Sequence, residues 1–593
     1  MSLALEKFVP VAVGDPRTLH YPRVYPVLKG AQEVLYKQYK TSNISASNVS
    51  FTCPPPGQNL LVDRSVYLRL PVQCSFAITG AVEAAVVLTP NNWCIRSFPL
   101  QKAMLSMQMT INSQAFSINI GDIMSCLEMF NMGERLKDND YTKCATYPCG
   151  MSQRFNDLAR AGAGSNRNPL NEWEKAEYDN IPFKNEFTIT ANSAVSAEGT
   201  ATATVCFVSI EPLFLSPLFT GKYELNASGF YGVHTLDFSF NFISQASNRM
   251  IAINPLGKPA EGASGTALYS TDAAARAISI NSTVSFTSGT YAASHPPALL
   301  FQYLTPQLVD RGASLEKIYN YPYQNIERFL QTQSGTWTAG SQNAVLSNNV
   351  QFSSIPSRIY AYVRASNSQM EANPFSPDAF MRLVENTLNI QWGGRSGLFA
   401  SAANAQLHEI SVRAGLRLPY ADWNGAKLSL PSASASDYGT DSGRYYGCGT
   451  LLGIDPVDFG LDSLSAPGKL EQITFQLQAT FENITGIDQV NPTLVIVAVV
   501  QGIVTLFHSQ ASAITGILTA EDILNAKGSN DVHEMKSYYK VRNIYGGNFL
   551  SDIKHDLRKL AKNKKGMEGG NAVAAAGVGG ARVARQTLSQ RLM

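Results

Sequence analysis

Apolar and polar residues alternate most regularly between residues 103 and 120, in two short segments joined by a polar turn at residues 112–114. The alternating apolar positions are Ala103, Leu105, Met107, Met109 and Ile111, then Phe116, Ile118 and Ile120. The residues between them are mostly polar, with Met104 as the exception. Successive side chains of a β-strand point to opposite faces of the sheet, so this pattern predicts a hairpin with one buried face.

Short strands of this kind dominate the chain up to residue 520. They are predicted at residues 66–70, 203–210, 236–242, 283–287, 299–304, 359–363, 388–392, 473–481 and 494–500. Helical periodicity is confined to short segments such as 122–132 and 402–414. Many short strands with turns rich in Gly, Pro and Asn predict an all-β fold of the sandwich or jelly-roll type, rather than alternating strands and helices.

Four of these elements recur in the same order about three hundred residues later, which indicates an internal duplication. The matching segments are 48–51 and 349–352, 64–70 and 356–363, 107–111 and 388–392, and the helices 122–132 and 402–414. The separation between the copies shrinks gradually along the chain, as differences in loop length would cause. The sequence therefore predicts two tandem jelly-roll sandwiches.

The length of 593 residues fits this arrangement, since single domains usually contain about 150 residues. We expect an N-terminal arm at residues 1–24, a first jelly roll at 25–312, a second at 313–520 and a basic C-terminal tail at 521–593. Two long surface loops, at 133–182 and 255–274, are expected to decorate the first jelly roll.

Charge is distributed unevenly between the body and the tail. Only 16% of the residues are charged and the net charge is +2, against about 25% charged residues in an ordinary soluble protein. Residues 548–593 contain nine basic and three acidic side chains, so this segment carries +6 and the preceding residues carry −4. The weakly acidic body and the basic tail require separate explanations.

Targeting and redox signals are sparse. The sequence contains no run of 18 uncharged apolar residues, so we expect no membrane span. Residues 1–14 lack the features of a secretory signal. The eight cysteines are widely spaced, which favours free buried thiols in a reducing compartment.

The sequence does not predict an enzyme or a cofactor. It contains no phosphate-binding GxxxxGK[ST] motif and no HExxH or other close pair of histidine ligands. Cys144 and Cys149 have no second pair that would complete a metal site. The segment 439–443 only faintly resembles the nucleophile region of serine proteases, because flanking glycines are missing.

Several stretches resemble the double jelly-roll major capsid proteins of virophages and polinton-like viruses. They are Val27–Gly30 with Gln32 and Tyr36, Leu61–Arg64, Glu211–Pro217, Phe301–Pro306 and Ile355–Tyr360. The resemblance extends over about residues 24–513, and its specificity comes from the order of these stretches.

The resemblance implies a structural protein of the virion. Such a chain forms a homotrimer, a pseudo-hexameric capsomer that tiles an icosahedral shell beside neighbouring capsomers, penton proteins and minor capsid proteins. It is assembled in the host cytoplasm or a viral factory. The strand pattern alone also permits a tandem β-sandwich adhesin or glycan-binding protein.

The tail contains two segments that are similar to the recognition sequence of adenovirus-type cysteine maturation proteases. That recognition sequence consists of an apolar residue, any residue and two glycines. Cleavage after the second glycine would separate Gly547 from Asn548 and Gly570 from Asn571. Glycines beside the scissile bond let the backbone approach the nucleophile without a clash of a Cβ atom. Two flexible linkers would give the same pattern.

Between these candidate cleavage points, apolar residues recur at helical spacing among basic ones. They are Phe549, Leu550, Ile553, Leu557 and Leu560. This basic amphipathic helix is suited to a membrane surface or a groove of a partner, and equally to packing against its own shell. Beyond it, Arg582, Arg585 and Arg591 are candidates for non-specific contact with nucleic acid.

Overall fold

The structure is a computed structural model of the chain. It describes residues 8–13, 23–28, 33–79, 93–131, 187–191, 200–218, 229–253, 279–305, 318–372, 380–427, 445–446, 449–460, 466–484, 490–507 and 510–519, apart from residues 58–59, 65, 97, 339 and 517. Almost all regular structure in these residues is antiparallel β-strand.

The first half of the chain contains sixteen strands in the described residues. They are β1 (Phe8–Val13), β2 (Arg23–Leu28), β3 (Glu33–Lys40), β4 (Asn43–Ile44), β5 (Asn48–Thr52), β6 (Leu61–Val62), β7 (Tyr67–Thr79), β8 (Trp93–Ile95), β9 (Met104–Ile111), β10 (Gln114–Ile118), β11 (Phe187–Ala191), β12 (Thr200–Pro212), β13 (Leu236–Phe242), β14 (Ile251–Ile253), β15 (Ser279–Ser285) and β16 (Ala298–Thr305).

The second half contains thirteen more among the residues that the structure describes. They are β17 (Tyr319–Thr332), β18 (Gln342–Leu346), β19 (Val350–Ser354), β20 (Arg358–Ala365), β21 (Arg382–Leu383), β22 (Asn389–Trp392), β23 (Arg395–Leu398), β24 (Ala426–Lys427), β25 (Tyr445–Tyr446), β26 (Leu451–Ile454), β27 (Leu470–Glu482), β28 (Pro492–Phe507) and β29 (Gln510–Thr515).

The helices in the described residues are short and lie between strands. They are α1 (Pro99–Ala103), α2 (Ile120–Cys126), α3 (Ala246–Met250), α4 (Asn367–Ala372), α5 (Asn404–Arg413) and α6 (Tyr420–Asn424). A π-helical turn (Leu127–Asn131) continues α2, and a 3-10 turn (Pro456–Phe459) follows β26.

In the described residues, each half has two large sheets that pack face to face, and the pairs β1–β2, β8–β14 and β24–β25 form separate two-stranded sheets. In the first half, the sheet β10-β9-β13-β5-β4 faces the sheet β11-β12-β7-β16-β3, to which β6 and β15 are added. In the second half, β18-β27-β22-β23 with β19 and β21 faces β17-β28-β20-β26 with β29. Aromatic pairs join the sheets of each sandwich, Phe238 with Phe301 in the first and Phe329 with Phe352 in the second.

The strand orders confirm the internal repeat. The path β12-β7-β16-β3 has the same connections as β26-β20-β28-β17, and β10-β9-β13-β5 has those of β23-β22-β27-β19. The repeated segments predicted from the sequence therefore occupy equivalent places: β5 and β19, β7 and β20, β9 and β22, α2 and α5. The predicted all-β class with short helices is confirmed, whereas the basic tail lies outside the described residues.

One predicted burial is wrong. Leu105 belongs to the apolar alternation that predicts a buried face, yet its side chain is 51% exposed, while Met104 is buried. The pairing of β13 with β9 passes from Asn241 opposite Ser106 to Phe242 opposite Met104, which leaves Leu105 without an opposite residue. This β-bulge turns Leu105 outward.

Pro71 lies where the long strand β7 changes partners. Residues 67–69 of β7 pair with β16, and residues 73–79 pair with β15 on the same side. Pro71 itself is opposite Val208 of β12 on the other side. Proline has no N–H to donate to a sheet ladder, so it fits a position between two partner strands.

Candidate functional site

A set of specific contacts among the described residues joins the two sandwiches, and we call it the seam. Helix α2 and the π-helical turn of the first sandwich lie on the outer face of the sheet that contains β20 and β26. The Phe130 ring is 4.7 Å from the Tyr360 ring, and the backbone N–H of Arg417 donates to the Met129 carbonyl at 3.1 Å.

A buried ionic cluster lies at the centre of the seam. The Asp122 carboxylate of α2 accepts hydrogen bonds from Arg328 of β17 and Arg364 of β20. The Tyr362 hydroxyl donates to the backbone carbonyl of Asp122, and burial raises the pKa of this phenol. Charges taken out of water are costly unless they are paired, so this cluster requires the two sandwiches to stay in one relative position.

The edge strand β17 is covered by a row of aromatic and polar contacts from the first sandwich. The Tyr321 ring is 4.5 Å from Phe230, and its hydroxyl accepts a hydrogen bond from the Tyr231 N–H at 2.6 Å. Tyr323 packs 5.3 Å from Phe116. The backbone N–H of Gln324 donates to Ser216 Oγ at 2.9 Å. The outer edge of β17, which pairs with no other strand, therefore has a hydrogen-bond partner in the first sandwich at this position.

A shallow pocket opens beside the ionic cluster. Its walls combine apolar and charged side chains: Lys102, Met104, Leu105, Ile243, Arg249, Arg328, Met370 and Glu371 line it with Gly121, Asp122 and Asn367. Burial raises the pKa of Glu371. The lining carries three basic and two acidic side chains, and its described residues include no cysteine, serine or histidine that could act as a nucleophile or base.

Four cysteines whose side chains the structure describes are free thiols. Cys53, Cys74, Cys126 and Cys206 are buried and free. Burial raises the pKa of Cys74 to about 12 and raises the pKa of Cys53 and Cys126 as well. In the described part of the chain, no group of three His, Cys, Asp or Glu residues is arranged to hold a metal ion. None of the described helices has the length and apolarity needed to cross a membrane.

The site residues predicted from the sequence all lie outside the described residues. These are the candidate cleavage positions Gly547, Asn548, Gly570 and Asn571, the amphipathic positions Phe549, Leu550, Ile553, Leu557 and Leu560, and the arginines Arg582, Arg585 and Arg591. Cys144, Cys149 and the segment 439–443 lie outside them too. Sequence reasoning missed the seam, although the acidic residue in an otherwise apolar helix, Asp122, is a signal for it.

Two family models match successive parts of the chain. The first domain of the Sputnik virophage major capsid protein matches residues 8–284, and the C-terminal domain of the major capsid protein V20 matches residues 326–502. The putative capsid protein V20 of Sputnik virophage is 26% identical over 564 residues, which cover 93% of this chain and 86% of that protein.

Solved structures show the same fold. A chain of the cryo-EM structure of Sputnik virophage matches with a TM-score of 0.67 and 23% identity, over 90% of this chain and 98% of that one. The mavirus major capsid protein matches with a TM-score of 0.59 and 14% identity, over 84% and 93% of the two chains. Both comparisons support the double jelly roll predicted from the sequence.

The matched proteins are structural components of capsids and not enzymes, in agreement with the interpretation of the sequence. The two family models are consecutive and match the two sandwiches in order. The seam between these sandwiches contains packing and paired charges, as expected of a structural block. The chain therefore belongs to the virophage family of double jelly-roll major capsid proteins and is a component of the virion capsid.

Proposed function

We propose that three copies of this chain associate into a pseudo-hexameric capsomer that tiles an icosahedral shell. The observation that carries the proposal is the seam, because it locks two topologically equivalent sandwiches side by side within one compact unit, residues 1–524. Three such double blocks around a threefold axis supply six similar sandwiches. The limits of residues 25–312 and 313–520 for the two jelly rolls are part of this proposal.

Association can be tested on the purified full chain. Size-exclusion chromatography with light scattering is expected to give three times the chain mass of 64.3 kDa, and negative-stain microscopy is expected to show hexagonal particles. A stable capsomer should bury more than about 2,000 Å2 at its interfaces. Monomers at micromolar concentration that bind saccharides would contradict the proposal and favour an adhesin or glycan-binding role.

The capsomer is proposed to contact neighbouring capsomers, penton proteins and minor capsid proteins in the shell. The weakly acidic body supports this arrangement, because a low net charge limits repulsion between like subunits. Assembly is proposed to occur in the host cytoplasm or a viral factory.

The tail is proposed to be a substrate of a viral cysteine protease. Cleavage after Gly547 would remove the segment that carries +6 and leave the acidic body. Before removal, the helix around Ile553 is proposed to contact a membrane or the shell, and Arg582, Arg585 and Arg591 to contact nucleic acid without sequence preference.

Mass spectrometry tests the processing directly. Co-expression with the cognate protease is expected to shorten the chain to one that ends at Gly547. A Gly547→Val variant is the matched control, because its Cβ and branched side chain obstruct the approach to the scissile bond. Mature particles that retain Met593 would contradict this part of the proposal.

A further inference from the structure

Helix α4 of the second sandwich contacts helix α3 of the first sandwich across the seam. The Asn248 Nδ2 group of α3 donates a hydrogen bond to the backbone carbonyl of Glu371 in α4 at 2.7 Å. At the start of α4, Asn367 Oδ1 accepts a hydrogen bond from Arg364 Nη2 at 2.5 Å. Arg364 also pairs with Asp122 of the buried ionic cluster. The position of α4 is therefore tied to the seam at both ends of the helix.

The side-chain amide of Asn248 has a buried acceptor that is not satisfied. Its Nδ2 group has two partners, the Glu371 carbonyl and Gln245 Oε1 at 2.8 Å. Its Oδ1 atom is buried and accepts no hydrogen bond from the described residues. Exchanging the amide oxygen and nitrogen does not remove the problem, because both partners of Nδ2 are themselves acceptors. A buried acceptor without a donor is costly, so this atom requires a donor beside Glu371.

The carboxyl group of Glu371 is the titratable group on that residue. The side chain is half-buried and lines the pocket beside the ionic cluster. Its carboxyl group has no hydrogen-bond partner in the part of the chain that the structure describes. A carboxylate presents only acceptors, whereas a protonated carboxyl group presents one O–H donor. The Glu371 carboxyl group therefore matches Asn248 Oδ1 only in its protonated form.

The surroundings of Glu371 favour that form. Burial raises the pKa of Glu371 and is the largest influence on it. The positive charges of Arg249 and Arg364 act in the opposite direction, and the Asp122 carboxylate adds to the increase. Helix α4 contains no other charged residue, and the charged groups around the carboxyl group in the described residues are Lys102 of α1, Asp122 of α2, Arg249 of α3, Arg328 of β17 and Arg364 of β20.

We propose that Glu371 is a proton-controlled latch on the seam: its protonated carboxyl group donates a hydrogen bond to Asn248 Oδ1, and its charged form leaves that acceptor unpaired. Proton binding forms one O–H···O hydrogen bond between α4 and α3, and proton release breaks it. The latch joins two sandwiches of one chain, so it does not depend on the proposed capsomer.

The latch makes the seam sensitive to pH in one direction. The stability that it contributes is fully present below the ordinary pKa of a glutamate, and it is lost as the pH rises through the higher pKa of Glu371 in the folded protein. The two sandwiches are accordingly held together more firmly in mildly acidic solution than in neutral solution.

Hydrogen exchange of the full-length chain, measured by mass spectrometry of peptides that contain α3 and α4, tests the latch. Lowering the pH from about 7.5 to about 5 is expected to raise the protection factors of both helices about tenfold, which is the effect of one ordinary hydrogen bond. Protection factors are corrected for the intrinsic pH dependence of exchange. Peptides from β27, which belongs to another sheet, are expected to keep the same protection and serve as the internal reference.

Two substitutions of Glu371 separate the hydrogen bond from the loss of charge. Glutamine is neutral at every pH and its amide N–H donates, so Glu371→Gln is expected to show the high protection of the acidic form at both pH values. Methionine is neutral and of similar length but has no donor, so Glu371→Met is expected to show the low protection at both. Glu409→Gln is the matched control, since Glu409 is exposed on α5 and does not line the pocket; it should keep the wild-type response.

Equal protection of α3 and α4 at the two pH values in the wild type would overturn the latch. High protection in Glu371→Met would overturn the bond to Asn248, because the loss of charge alone would then account for the effect. Circular dichroism verifies that each variant is folded. The exchange of α3 and α4 reports on contacts within one chain, so its outcome is separate from whether the chain forms trimers.

Discussion

At the scale of single residues, Gly453 is a position where the seam tolerates no side chain. A Cβ atom at this position of β26 would overlap the ring of Phe130 from the other sandwich. Phe130 itself is buried and packs on Tyr360. Strand β26 approaches the Phe130 ring so closely that only glycine, which has no Cβ atom, fits at this position. The requirement is one of space and not of backbone conformation.

Replacement of Gly453 by alanine should therefore destabilise the protein. Overpacking typically costs about 1–3 kcal/mol, and we expect Gly453→Ala to lower the free energy of unfolding by that amount in a urea titration. Gly57→Ala is the control, because the nearest atom to its new Cβ would be Leu60 Cδ1 at 3.6 Å. Equal stability of both variants would show that the ring of Phe130 can move aside.

The buried cysteines give a second prediction at this scale. With burial raising the pKa of Cys74 to about 12 and that of Cys53 and Cys126 too, almost no reactive thiolate is present at pH 8. Iodoacetamide should leave these three cysteines unmodified in the native protein and modify all of them in urea. Peptide mass mapping identifies the sites, and native labelling at any of the three would contradict the burial.

At the scale of elements, helix α1 is attached to strand β12 through Glu211. This carboxylate is buried and accepts hydrogen bonds from the backbone N–H groups of Leu100 and Gln101, from Gln101 Nε2 and from Ser209 Oγ, at 2.8–3.3 Å. A helix begins with N–H groups that lack partners inside the helix. Glu211 supplies those partners from a strand more than a hundred residues away.

Glu211→Gln should weaken this attachment, because an amide presents one oxygen and a donor where the carboxylate presents two acceptors. A buried polar group without its partner costs about 1–3 kcal/mol, and chemical denaturation should show a loss of that size. Glu471→Gln is a suitable comparison, since Glu471 is 40% exposed and pairs only with Lys469 at 2.8 Å; we expect a change below about 1 kcal/mol.

At the scale of the whole molecule, the seam makes two sandwiches behave as one body. Asp122, Arg328 and Arg364 come from three elements of the two sandwiches, and two of the three side chains are less than a tenth exposed. Breaking a buried pair leaves a charge without compensation, at a cost of about 3–5 kcal/mol. The stability of each sandwich is therefore coupled to that of the other.

This coupling predicts how the chain unfolds. Wild-type protein is expected to show one dominant calorimetric transition, whereas Asp122→Asn should separate it into two transitions, because two arginines then lose their carboxylate. Arg413→Met removes an exposed partner of Asp458 and serves as the control that keeps a single transition. Two well-separated transitions already in the wild type would contradict the coupling.

Many of the strands, the duplication and the family can be predicted from the amino-acid sequence alone. Period-two alternation identifies β13 and β27, because burial of one face of a sheet is encoded locally. Similar segments, such as 48–51 and 349–352, follow one another in the same order in both halves and so identify the repeat. The strand connections of the two halves are equivalent. The resemblance to virophage capsid proteins rests on such ordered segments, and the family models confirm it.

Which sheet faces are covered depends on tertiary contacts that local sequence patterns do not encode. Alternation assigns Leu105 to the core, but a bulge created by pairing with β13 turns it outward. Tyr67 and Tyr360 occupy equivalent strands, yet Tyr360 is buried beneath Phe130 of the other sandwich, whereas Tyr67 is half-buried. Period-two patterns reveal which residues share a face, whereas contacts between residues hundreds of positions apart determine whether that face meets protein or solvent.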